Sequence, residues 1–363
     1  MIEKIKKHPA ILLFSVFWII TLGIIFHDYY ILVKQPIWVD EYVFLKVTKN
    51  LPDYSSNKEW IEEKNDVFKV NINDPLYDAA YTTKVWGHPP IANIIMYPVA
   101  IGFSDDGLIN NIWLFRLVYV IILIVTIWLI VDVIRRKFGL LVASISMMPI
   151  MLSQYLLAAS IYVYYDGWMC LLIALTLWIV EVKKDSKWKY VSAVALGLSK
   201  IYAIAFIIPI AILEYRKNGI KNGLLMLCTM LGLVAFLGYQ WMVTGDVKYI
   251  FSDHWLISNQ WNYETFRVVV LPNIGSIIKD WGLYIHVPLV VFGIMLWVRR
   301  FRWLDYSYIV LYGMVVVFAI NGGLMGNKTY PIMLFAMPMM IPIAQKIITR
   351  TRSKNINNNK LEV

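Results

Sequence analysis

Apolar runs close to twenty residues long recur along this chain, parted by short basic clusters, and that pattern leaves few folds open. A helix needs roughly 20 residues to cross a hydrocarbon layer about 30 Å thick, and within that layer its backbone polar groups must be satisfied internally. The runs fall at 9–27, 111–134, 138–158, 166–182, 222–243, 284–298, 304–321 and 331–348, and a shorter pair between 188 and 215 meets near Lys200. Counting that pair as two gives about ten spans, so the expected fold is an all-α polytopic membrane protein with interfacial helices. Composition agrees: 16% of the residues are charged, against roughly a quarter in soluble domains.

A formal charge of +10 would suggest a nucleic-acid partner if it formed one patch. The basic residues instead sit between apolar runs, which is the positive-inside signature and argues for topology, with no nucleic acid involved. The clusters at 4–7, 135–137, 183–189, 216–221, 299–302 and 346–360 are assigned to the inner side. Both termini are then cytoplasmic, the chain lies in the plasma membrane, and most acidic residues fall outside. The outer parts become the loop 28–110, a turn at 159–165, the loop 244–283 and the segment 322–330. The run 91–103 is too short to cross and would invert every later loop if it did, so it is expected in the outer interface. Residues 1–348 read as one transmembrane domain and 349–363 as a cytoplasmic tail. The first run follows Lys4, Lys6 and Lys7 as a signal peptide would, but no small-residue cleavage site follows, and an uncleaved span is expected.

The longest polar interruption opens at Gln35-Pro36-Ile37-Trp38-Val39-Asp40-Glu41-Tyr42 and closes at Trp86-Gly87-His88-Pro89-Pro90. Asp40 and Glu41 stand just beyond the first span. A boundary carboxylate shielded by Trp38 and Tyr42 suits general-base work, worth about 10² to 10⁴ in rate; a solvated loop pair is the plain alternative. The diproline fixes φ twice and starts a helix at a defined angle. His88 then either contacts a phosphate or acceptor hydroxyl, or caps that helix.

Cations stand at outer ends of spans at Arg116, Lys200 and Lys328, with Arg267 in the outer loop. Together they suit a lipid phosphate, arginine in bidentate fashion and lysine as a point charge; singly, each reads as headgroup snorkelling. Asp166 opens a span in Tyr164-Tyr165-Asp166-Gly167-Trp168, either as an N-cap or facing a site. Asp40, Glu41 and His88 also offer ligand types for a divalent cation. No G-x-G-x-x-G, P-loop or HExxH occurs, so an activated substrate would have to arrive in the membrane.

These pieces, in this order, resemble the GT-C superfamily of integral-membrane glycosyltransferases, especially its protein O-mannosyltransferase and lipid A aminoarabinose transferase branches. The matching residues are Asp40-Glu41, His88-Pro89-Pro90, Arg116, Asp166-Gly167, Lys200 and Lys328-Thr329-Tyr330-Pro331, spread over residues 35–340. The resemblance implies an inverting glycosyltransferase that moves a sugar from a polyprenyl-phosphate donor to a glycan, glycolipid or cell-wall acceptor on the outer face. It implies Asp40 as base, Glu41 as a helper for the acceptor, and Arg116, Lys200 and Lys328 as donor-phosphate ligands, with His88 and Asp166 in support; Arg267, read only from its place in the outer loop, joins the supporting residues. The rival class is a transporter or lipid-linked sugar flippase, which would favour charges at mid-membrane and paired broken helices.

Overall fold

A chain that must satisfy its own backbone in lipid becomes helix, and helix is the only regular structure among the described residues. The computed structural model describes residues 9–50, 89–152, 161–183, 185–244, 283–300, 307–321 and 334–361. Helix α1 (Pro9–Val33) turns Thr21, Ile25, Asp28 and Leu32 inward, a spacing of three and four that makes one stripe. Short helices α2 (Val39–Lys49), α3 (Ile91–Ala100) and α4 (Asp105–Asn110) follow, before the long α5 (Ile112–Phe138). With ten residues, α3 spans about 15 Å, half of what a crossing needs.

Helix α5 stops at Gly139, whose φ of +91° suits only a residue without Cβ, and the chain turns there into α6 (Leu140–Ser146) and α7 (Met148–Met151). Helix α8 (Tyr165–Val182) then runs beside α5 in the same direction. Its Gly167 packs on Tyr119 near the start of α5, and its Glu181 accepts from Lys137 near the end.

Helix α9 (Trp188–Gly197), a 3-10 turn (Ile201–Phe206) and α10 (Ile207–Asn218) form a hairpin with Lys200 at its tip. Its open end is closed by Lys189 donating to Glu214 at 2.5 Å. The two short apolar pieces read from the sequence therefore fold back on each other. Beyond Gly219, at φ +84°, come α11 (Ile220–Cys228) and α12 (Leu231–Thr244), then α13 (Leu283–Arg300), α14 (Ser307–Asn321) and α15 (Ile341–Leu361). Among the described residues, four helical stretches are long and apolar enough to cross a membrane: Pro9–Val33, Ile112–Phe138, Tyr165–Val182 and Ile220–Tyr239. The chain is a membrane protein.

Basic clusters distant in sequence meet at one end of this bundle. Asp132 accepts from Arg135, Arg136 and the Trp178 indole, while Glu181 accepts from Lys137, Lys217 and the Tyr308 hydroxyl. These bonds tie α5, α8, α10 and α14 together, each buried carboxylate being surrounded by donors as burial demands. The opposite end carries a second group of buried ions.

Candidate functional site

At that opposite end the first turn of α2 sets the geometry. Trp38, in extended conformation, precedes the helix, and its backbone N–H donates to Glu41 Oε2 at 3.0 Å, so Glu41 closes the turn from the third position. Both acids of the turn are favoured by the helix dipole. Neighbouring residues on a helix point in different directions, and here they part: Glu41 is buried and Asp40 is exposed.

Glu41 reaches Arg116 of α5. Nε donates to Oε1 at 3.0 Å and Nη2 to Oε2 at 2.6 Å, the bidentate fork that a guanidinium makes with a carboxylate. Arg116 spends its other donors on the carbonyls of Leu32 at 2.5 Å, Gln35 at 2.9 Å and Pro36 at 3.0 Å. Its five N–H groups are all engaged on α1, the α1–α2 link and α2, so the side chain expected to meet a donor phosphate is saturated within the fold. Glu41 Oε1 also accepts from the backbone N–H of Val163 at 3.1 Å, which brings in the segment ahead of α8. Beside this pair, the Trp38 and Tyr162 rings meet at a tilt of 49° with centroids 4.8 Å apart. The Tyr162 hydroxyl is held above the ordinary phenol range, by burial first and the Glu41 carboxylate second, with Arg116 opposing.

Segment 161–166 links this pair to Lys200. Lys200 Nζ donates to Asp166 Oδ1 at 2.6 Å, both side chains at least 98% buried, and lies 5.2 Å from the centre of the Tyr164 ring. Helix α8 begins at Tyr165 behind Tyr164, so Asp166 sits inside the first turn and faces Lys200, where the sequence allowed it to be the cap. Asp166 Oδ2, Tyr119 Oη and Trp168 Nε1 are buried nearby without a hydrogen bond of good geometry among the described residues.

The diproline start of α3 touches the same tip. Ile91 N–H donates to the Leu198 carbonyl at 3.3 Å, and Pro89 and Pro90 are buried. Helix α3 is zipped to α2 by Asn93, which donates to Thr48 Oγ1 at 2.8 Å. Helix α4 is held to α2 by Asp105, which accepts from Lys46 and, at 2.7 Å, from Lys49. Burial alone would raise the Asp105 carboxyl, but the two ammonium groups hold it below the usual carboxylate range.

The structure thus brings Asp40, Glu41, Arg116, Asp166, Lys200 and the diproline to one end of the bundle. His88, Arg267 and Lys328 lie outside the described residues. Among the described residues no three His, Cys, Asp or Glu side chains gather as a metal site, and Glu41 already has both oxygens engaged. Sequence reasoning passed over Tyr119, Asn93 and Thr48. Asn93 alone left a trace, as a polar residue inside the apolar run behind the diproline. No family model, characterised protein or solved structure matches this chain.

Proposed function

We propose that this protein is a membrane glycosyltransferase of GT-C type, with about ten spans, that takes a sugar from a polyprenyl phosphate and transfers it to an outer-face glycan, glycolipid or cell-wall acceptor. One observation carries the reading: Asp40 is exposed on a turn locked by the buried Glu41–Arg116 pair, at the bundle end where Lys200 also lies. Asp40 takes the proton of the acceptor hydroxyl. The hydroxyl oxygen bonds to the anomeric carbon from the face opposite the phosphate, the carbon–phosphate-oxygen bond breaks, and polyprenyl phosphate leaves with the bond's electron pair. Configuration inverts, as in single-displacement glycoside chemistry.

A phosphate leaving group needs charge neutralisation more than a proton. Lys200 supplies it, the donor phosphate exchanging with Asp166 for the ammonium. Arg116, with every donor engaged, acts through Glu41 as a positioning residue. Lys328 keeps the donor-phosphate role and His88 the supporting role that the resemblance implies, and Arg267 supports from the outer loop.

A carrier for lipid-linked sugars draws on the same buried Lys200–Asp166 pair, since an ion pair that a ligand can split is also a transport device. Reconstitution separates the two. Protein in liposomes is given radiolabelled polyprenyl-phosphate sugar and an envelope-glycan acceptor fraction. The proposed enzyme converts label into water-soluble glycan with release of polyprenyl phosphate, and Lys200→Gln slows this at least tenfold. Label that crosses the bilayer while staying lipid-linked would establish the carrier instead.

A further inference from the structure

Trp38 is 54% exposed, although it stands in the turn that Glu41 and Arg116 lock. Two contacts fix its position. The backbone N–H donates to Glu41 Oε2, and the indole packs on the Tyr162 ring, 4.8 Å between centroids. Tyr162 is itself held: its hydroxyl donates to Gln35 Oε1 at 3.4 Å, and its ring centre lies 5.8 Å from the Arg116 guanidinium carbon. A large apolar ring is therefore presented outward with little freedom left to lose on binding.

The exposed polar groups at this turn suit a neutral polyol. Gln35, tied to Tyr162 through Oε1, keeps the two N–H donors of its amide for an occupant. Asp40 is exposed two residues beyond Trp38, a step that separates Cα atoms by about 5 to 6 Å in a helical turn. Two cations of this edge are engaged elsewhere: Lys34 Nζ donates to Tyr30 Oη at 2.7 Å, and every Arg116 donor is taken within the fold. Neither is left for an anion. A pyranose ring fits better, since its C–H face meets the electron-rich indole while its hydroxyls meet an amide donor and a carboxylate acceptor. We propose that the outward face of Trp38 is a saccharide subsite holding a pyranose ring of the acceptor, with Gln35 donating to one hydroxyl and Asp40 at the hydroxyl that attacks. The subsite rests on the transferase reading above and narrows its acceptor to a glycan with a pyranose at the point of attack.

The test uses full-length protein in nanodiscs and fluorescein-labelled oligosaccharides released from the envelope-glycan acceptor fraction by mild acid. Their binding is read by fluorescence anisotropy without donor, and their transfer as acceptor KM with donor present. Every variant at position 38 keeps the backbone N–H that closes on Glu41. Trp38→Ala weakens binding and raises acceptor KM by about tenfold or more, while donor KM stays within about twofold. Trp38→Tyr, which keeps a flat π face, stays within about threefold of wild type. Trp38→Leu, which keeps apolar bulk alone, falls with Trp38→Ala. Equal performance of Trp38→Leu and Trp38→Tyr would make the side chain a membrane-interface anchor and overturn the subsite. Wild type that binds no oligosaccharide would overturn it too. An unchanged acceptor KM in Trp38→Ala would overturn the subsite and leave the transferase reading in place. Trp38-dependent binding without any transfer would keep the saccharide site and remove the transferase reading instead.

Discussion

Arg116 and Glu41, 75 positions apart, form a fully buried pair joined at 3.0 and 2.6 Å, and through it α5 fixes the first turn of α2. Removing one partner strands a buried charge, at a cost of about 3 to 5 kcal/mol, whereas removing both with apolar residues of similar size costs less. Arg116→Met and Glu41→Leu are therefore each expected to lower the thermal unfolding midpoint in detergent sharply. The double variant should fall well short of the sum, and strict additivity would show that the pair is not coupled.

Gly167 of α8 packs directly on Tyr119 of α5. A Cβ there would stand 2.9 Å from Cδ1 and Cε1 of the Tyr119 ring. Gly167→Ala should destabilise by about 1 to 3 kcal/mol through overpacking, and should cost far less when added to Tyr119→Ala, a variant already lowered by its own cavity, than when added to wild type. Gly238→Ala meets nothing within 4 Å in α12 and serves as the contrast; it should be neutral or stabilising by up to about 1 kcal/mol. Thermal unfolding of wild type, the two single variants, their double variant and Gly238→Ala in one detergent decides this.

Asp105 gives the interfacial helices a pH dependence of defined sign. Its folded pKa lies below the ordinary 3.8, so its stabilising bond to Lys46 and Lys49 is complete above that value and is lost as pH falls through the folded value. Hydrogen exchange over 39–49 and 105–110 should therefore be slow near about pH 5 and speed up toward about pH 2.5 beyond its intrinsic trend. Asp105→Asn should remove that extra acceleration. An identical acid response in the variant would assign it to another group.

Much of this architecture was legible in the amino-acid order because lipid imposes a simple rule on length and hydropathy. The helical class, the meeting of two short pieces at Lys200 and the helix starting behind Pro90 all follow from run lengths and proline. The basic clusters at 135–137, 183–189 and 216–221 do share one end. Pairing was not legible. That Glu41 belongs to Arg116 depends on how α2 lies against α5, and that Asp166 belongs to Lys200 on how the α9–α10 hairpin lies against α8, which no local spacing encodes. The same blindness made Arg116 look available for a phosphate, since the carbonyls of Leu32, Gln35 and Pro36 that fill its donors leave no signature in side-chain identity. Asp166 shows the complementary limit: two residues of offset at the start of α8 separate a cap from a buried counter-ion.

The central claim assigns the proton transfer to Asp40, and single-turnover transfer by Asp40→Asn in liposomes tests it most directly. Asparagine keeps the size and the helix start but accepts no proton, so the rate should fall by about 10² to 10⁴. Binding of the polyprenyl-phosphate sugar should stay within threefold of wild type, because Lys200 is untouched. Transfer by Asp40→Asn at the wild-type rate would contradict the account.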